Sequence, residues 1–159
     1  MKIFVAFYPI DWWVIGCMRW FSKAKHDHCS FAFLEEGYDE AYILHVSKTM
    51  SPPRFVRESV LHKVYTPSNV IYLGDTTKTP KDMEKIVKQR GRFPLYRIIL
   101  WFFVTRWFSS WKPKDGCCVL CCDLLKECGK PVGRYVRPTE LYKELSNADN
   151  YTEWTSGIR

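Results

Sequence analysis

"GCCVLCCDLLKECG", residues 116–129, holds five of the chain's seven cysteines, and its reading decides the fold. Leu120, Cys121, Leu124, Leu125 and Cys128 recur at i, i+1, i+4, i+5 and i+8, which puts apolar side chains on one face of a helix. "WKPKDG" (111–116) is a polar, turn-forming lead-in and Gly129 is a stop, so the spacing predicts a helix over 117–128.

The thiols have four possible fates: disulfides, metal ligands, core filling or nucleophilic chemistry. Seven cannot pair fully. The apolar N-terminal run is broken by Pro9 and Asp11 and lacks a small-residue cleavage site, so it reads as a core strand rather than a signal peptide. The longest apolar run, 98–104, is too short to span a bilayer. These features place the chain in a cytosol, where a disulfide framework is not expected. A structural zinc site joins two close ligand pairs from different elements. On a helix Cys117 and Cys121 face one way and Cys118 and Cys122 another, and the remaining cluster, "HDHC" (26–29), has no zinc-knuckle spacing. No metal and no cofactor is expected. Cys121 and Cys128 lie on the leucine face and read as core, while Cys17 and Cys122 need no special role.

Cys117 and Cys118 differ, because they open the helix. A thiol there feels unsatisfied amides and the positive end of the dipole, both of which favour thiolate. A nucleophilic cysteine also needs a base, usually a histidine brought close by the fold.

Working outward, Lys2–Phe7 alternates as a strand, and 11–23 reads as a short helix or a wrapped aromatic segment. "HCSFAFL" (28–34) alternates, with His28, Ser30, Ala32 and Leu34 on one face and Cys29, Phe31 and Phe33 on the other. "EEGYDE" turns the chain into a returning strand, 41–47. "SPPR" (51–54) breaks the sheet, and 69–74 is a further strand. Thr79-Pro80 caps a helix to Gln89 or Arg90, 95–108 is an aromatic strand, and 137–145 is a last short helix before a polar tail, about 146–159. That order predicts one α+β domain over 1–159, with a mostly antiparallel sheet packed against the cysteine helix.

If Leu34 pairs with Ala41, Ser30 faces His45 and His28 lies diagonal to it, within reach of a ring side chain. The small residues beside His28 leave room for the helix to dock on that face. His28 and His45 are therefore the candidate histidines, and His26 and His62 lack such a placement.

At this point the residues resemble the circularly permuted papain-like hydrolases of the NlpC superfamily, which also contains lecithin retinol acyltransferase-like enzymes. A strand histidine precedes a helix-opening cysteine, "GCCVLCCDLL" follows, and "RPTELYKEL" matches a second motif at Pro138, Leu141 and Tyr142. Gly116 or Cys117 stands where such proteins have Asn or Thr. Aligning Leu124-Leu125 makes Cys117 the nucleophile; aligning Val119 makes it Cys118. The apolar face favours Cys117. The resemblance implies a permuted papain-like fold and a thiol hydrolase or acyl transferase of small phage or bacterial type, with Cys117, His28 and His45 as catalytic residues and Cys118 as the alternative nucleophile. The implied substrates are peptide or other amides, or lipid acyl groups. The implied location is the cytoplasm of a bacterial host or a virion.

Residues 81–114 hold nine Lys/Arg against two acids, with eight aromatics between Phe93 and Trp111. In a chain of net charge +7 this reads as a solvated helix face beside an aromatic strand, or as a surface for an anionic lipid or polymer. No nucleic-acid module is present, so nucleic acid is not expected as a partner. The rival to an enzyme is a non-catalytic papain-like binding or virion-structural protein that keeps the scaffold and the aromatic-basic surface.

Overall fold

A computed structural model describes residues 1–9, 26, 28–46, 52–61, 63, 66–89, 116–133, 135, 137–147 and 152–153. The elements run β1 (Lys2–Tyr8), β2 (His28–Leu34), β3 (Tyr42–His45), β4 (Arg54–Arg57), α1 (Glu58–Leu61), β5 (Asn69–Asp75), α2 (Pro80–Gln89), α3 (Cys117–Glu127), α4 (Pro138–Ser146) and β6 (Thr152–Glu153). The strands form one antiparallel sheet in the order β4-β3-β2-β1-β5-β6, with the two-residue β6 at one edge. The architecture is α+β. Among the described residues no helix is long and apolar enough to cross a membrane.

Strand alternation separates two cores. Ile3, Val5 and Phe7 of β1, Cys29, Phe31 and Phe33 of β2, Leu44 and Ile71 face the helices. There they meet Met83 and Val87 of α2, Leu120, Leu124 and Leu125 of α3, and Leu141 and Leu145 of α4. Each fully buried leucine of α3 contributes roughly 1.5–3 kcal/mol through removal from water. The opposite face gathers Phe4, Ala6, Tyr8, Ala32, Ile43, Leu61 and Val70.

Helix α3 therefore docks on the Cys29–Phe31–Phe33 face, not on the His28–Ser30–Ala32 face where small residues suggested room. Large rings give the leucine face of α3 more apolar surface to cover than Ser30 and Ala32 could. Two further expectations change. The "SPPR" segment does not end the sheet, since Arg54–Arg57 pairs with β3 from Arg54↔His45 to Arg57↔Tyr42. The polar tail, where the sequence signals no element, adds an edge strand, since Thr152 and Glu153 pair with Tyr72 and Ile71. The expected elements at 11–23 and 95–108 lie outside the described residues.

Helix α3 ends as a glycine stop should. Gly129 takes φ 75°, its N–H donates to the Lys126 carbonyl at 2.9 Å, and the Lys130 N–H donates to Leu125 at 2.9 Å. Its start is less ordinary: Gly116 caps it at φ 146°, ψ 160°, a region open essentially to glycine alone, and among the described residues no side chain caps the first turn.

Candidate functional site

Strand pairing brings the two histidines together. Ala32↔Ile43 and Phe33↔Tyr42 fix the β2–β3 register, and extending it sets Ser30 opposite His45 with His28 diagonal. Both rings lie on the sheet face turned away from α3; the His28 ring packs 5.9 Å from that of Tyr8. Burial, then the nearby His28 and Arg54 charges, lower the pKa of His45, so its imidazole resists protonation.

The Cys117 sulfur meets the His28 ring all the same. The Phe7 carbonyl accepts the Ser68 N–H at 2.8 Å, so the Phe7 backbone points toward β5. Its partner Cys29 is then a non-hydrogen-bonded neighbour on the β1 side, and the Cys29 amide points toward β3. The β2–β3 pairs among the described residues are Ala32↔Ile43 and Phe33↔Tyr42, and the Cys29 amide meets the sulfur of Cys117. The first residue of α3 thus drops toward the sheet plane, where its sulfur also contacts the His28 ring.

Cys117 is the one cysteine among the described residues that is not buried. The Cys29 thiol first, and then the His28 ring and the Cys29 amide, hold the Cys117 thiol well below its ordinary range, against the opposing effect of burial. Cys29 is pushed up, chiefly by donating to Cys117, then to Cys118 and Cys121, with burial adding. Cys118 is drawn down to about 6, first by the Cys122 thiol and then by Cys29, with the charge of Cys117 opposing. Cys29 has only one proton to donate, so it does not hold two neighbouring thiolates at once. Cys117 has the histidine and the amide besides.

Cys118, which the helix turns away from Cys117, does not reach solvent: it is 1 % exposed and packs in the helix-side core with Cys122. The helix is apolar over most of its circumference, with Cys118 to Cys122, Leu124 and Leu125 all buried, so a position off the sheet-facing stripe is covered too.

Two contributions to the site had only weak sequence signals. Ser30 Oγ lies 3.2 Å from His28 Nε2, a contact implied by i, i+2 spacing on a strand. The "RPTELYKEL" segment holds the approach to β2: the Tyr142 ring packs 4.5 Å from that of buried His26, and Thr139 Oγ1 donates to the His26 carbonyl at 3.2 Å. His26 is therefore a structural residue. Tyr8 closes the other side of His28; its hydroxyl is buried and has no hydrogen-bond partner among the described residues, and burial, then Glu58, raise its pKa.

His62, Cys17 and most of the basic-aromatic stretch, 90–114, lie outside the described residues. Within the remainder of that stretch, Lys88 pairs with Glu84 at 3.2 Å on exposed α2. Among the described residues no group of three or more His, Cys, Asp or Glu is arranged to hold a metal ion. Against family models, curated proteins and solved structures, the chain gives no significant match.

Proposed function

We propose that the protein is a thiol hydrolase or acyl transferase of permuted papain-like design, acting on an amide, peptide or acyl bond. The observation that carries this reading is the partly exposed Cys117 at an uncapped helix start, with its sulfur against the His28 ring and its thiol held low. The Cys117 thiolate attacks the carbonyl carbon, and the first-turn amides that Gly116 leaves uncapped stabilise the oxyanion. His28 takes the thiol proton and returns it to the leaving nitrogen or oxygen as the tetrahedral adduct collapses to a thioester. It then deprotonates the water or acceptor that releases the acyl group. With Nε2 turned to Ser30, Nδ1 is the nitrogen that serves the sulfur. His45, held neutral, and Ser30 keep the imidazole in that tautomer.

The test is alkylation of the folded protein with iodoacetamide, followed by peptide mapping, and then a screen of amide and ester substrates. Cys117 is labelled fastest, at a rate that stays level down through neutral pH; an ordinary thiol of pKa about 8.5 slows roughly tenfold per pH unit below it. Cys117→Ala abolishes fast labelling and turnover, whereas Cys118→Ala leaves both. The reverse result moves the nucleophile to Cys118. Slow labelling at both positions in folded protein favours the non-catalytic binding protein.

A further inference from the structure

Cys117 packs against the core cluster that holds Cys29, and its sulfur meets the Cys29 thiol and the Cys29 amide. In catalysis by Cys117 and His28 the Cys29 thiol helps hold Cys117 as thiolate but takes part in no bond-making step. That thiol is fully buried under α3, near the sulfurs of Cys118 and Cys121 as well. A helix-opening thiol backed by a buried second thiol on another element is the arrangement of a peroxide-reactive cysteine with its resolving partner.

We propose that Cys117 and Cys29 form a reversible, peroxide-responsive pair, in which Cys117 is oxidised first and Cys29 captures it as a disulfide joining β2 to α3. The Cys117 sulfur attacks one peroxide oxygen, the O–O bond breaks, and the departing hydroxide takes up a proton to become water. Cys117 is then a sulfenic acid. The Cys29 sulfur, giving up its proton, attacks the sulfenic sulfur and expels a second water. Two thiols are oxidised to one disulfide while one peroxide is reduced to two waters, and an external dithiol reverses the change.

The electrostatics set the order of events. While Cys117 is a thiolate, its demand for the Cys29 proton keeps Cys29 protonated and unreactive. Once Cys117 becomes a neutral sulfenic acid the largest of the effects that keep Cys29 protonated disappears, while Cys118, Cys121 and burial still act on it. Geometry selects Cys29 over its neighbours. A Cys117–Cys118 bridge would close a small ring through a peptide bond that prefers to be planar and trans, opening the first turn of α3. Cys121 lies one turn along the same helix, where Cβ directions are nearly parallel rather than convergent. Cys29 approaches from the opposing strand.

The inference rests on the thiol cluster and not on turnover. The folded protein is exposed to hydrogen peroxide, remaining thiols are blocked, and unreduced peptides are mapped by mass spectrometry. The expected result is a Cys29–Cys117 linked peptide, with loss of Cys117 labelling that dithiothreitol restores. In Cys29→Ala the same exposure carries Cys117 to sulfinic and sulfonic acid, and dithiothreitol no longer restores labelling. If Cys29→Ala does not fold, the wild-type map decides alone, and Cys118→Ala serves as the second variant, which keeps the link. Cys117 linked to another cysteine, left unreacted, or over-oxidised in the wild type overturns the proposal. An active hydrolase lacking the linked peptide refutes this inference only, and a linked peptide in a protein without turnover refutes only the hydrolase reading.

Discussion

A thiol donates its one proton to one acceptor at a time, and Cys29 lies beside two cysteines that could take it. The histidine separates them, because the Cys117 sulfur meets His28 whereas Cys118 turns into the core with Cys122. The same logic divides the polar residues around His28. Ser30 and His45 act through the imidazole and do not touch the sulfur in the proposed mechanism. His45→Ala and Ser30→Ala should therefore each lower turnover, by roughly tenfold or more, because the ring loses its tautomer and orientation. Both should leave Cys117 labelling nearly unchanged, since the Cys29 donors and the helix start remain; kcat and labelling rate measured on the same samples check this. Turnover at the wild-type rate in both variants would make these residues structural. At this scale the sequence was informative where periodicity governs: counting back from the "EEGYDE" turn placed His28 diagonal to His45. It was silent on the contact between Cys29 and Cys117, for strand parity said only that Cys29 shares a face with Phe31 and Phe33. That a residue of this face also touches the opening cysteine of α3 depends on how the helix docks, and no residue pattern records that.

Helix α3 starts at Gly116 with a backbone conformation that L-residues avoid, yet a Cβ there would meet nothing within 4 Å. The constraint is conformational rather than steric. Gly116→Ala should therefore cost about 1–3 kcal/mol, read as a lower Tm, and should slow Cys117 labelling because the first turn shifts to relieve the strain. Unchanged labelling with a lowered Tm would separate the strain from the position of the sulfur. Helix α2 makes the opposite choice at its start. The Thr79 N–H donates to Asp82 Oδ2 at 2.9 Å while the Asp82 N–H donates to Thr79 Oγ1 at 3.3 Å, a reciprocal cap. Thr79→Ala should cost about 1 kcal/mol, measured by urea unfolding. Hydrogen bonds from the Thr79 backbone and then its side chain hold the Asp82 carboxyl below the usual carboxylate range. With the folded value below the unfolded one, this support is complete above the unfolded pKa of about 3.9 and fades as pH falls through the folded value. The Thr79→Ala penalty should shrink over that acid range. The α2 start was legible because its cap is written in adjacent residues. Strands β4 and β6 were not, because prolines and a polar tail carry the local signal while edge pairing is decided by the neighbouring strand.

Across the whole molecule, nothing in the candidate site belongs to one element. The sulfur comes from α3, the imidazole and the amide from β2, the second histidine from β3, and the hold on the approach to His28 from α4 through His26. Sequence order could place a histidine strand before a cysteine helix, but it could not say which sheet face the helix would choose. The helix took the face with the rings, and the contacts of the Cys117 sulfur with Cys29 and His28 of β2 reconcile that choice with histidines on the other side. It follows that the low Cys117 thiol is a property of docking, since an isolated first turn would have neither His28 nor Cys29 beside it. Labelling in a urea series should then show two opposed changes. Cys117 should slow toward the rate of an ordinary thiol, while Cys29, Cys121 and Cys122, buried in the native state, should become reactive. If sheet and helix unfold as one unit, both changes share the midpoint seen by circular dichroism. A Cys117 that loses its fast labelling before the buried cysteines open would mean that the start of α3 lifts from β2 by itself, as a local opening of lower free energy than the core.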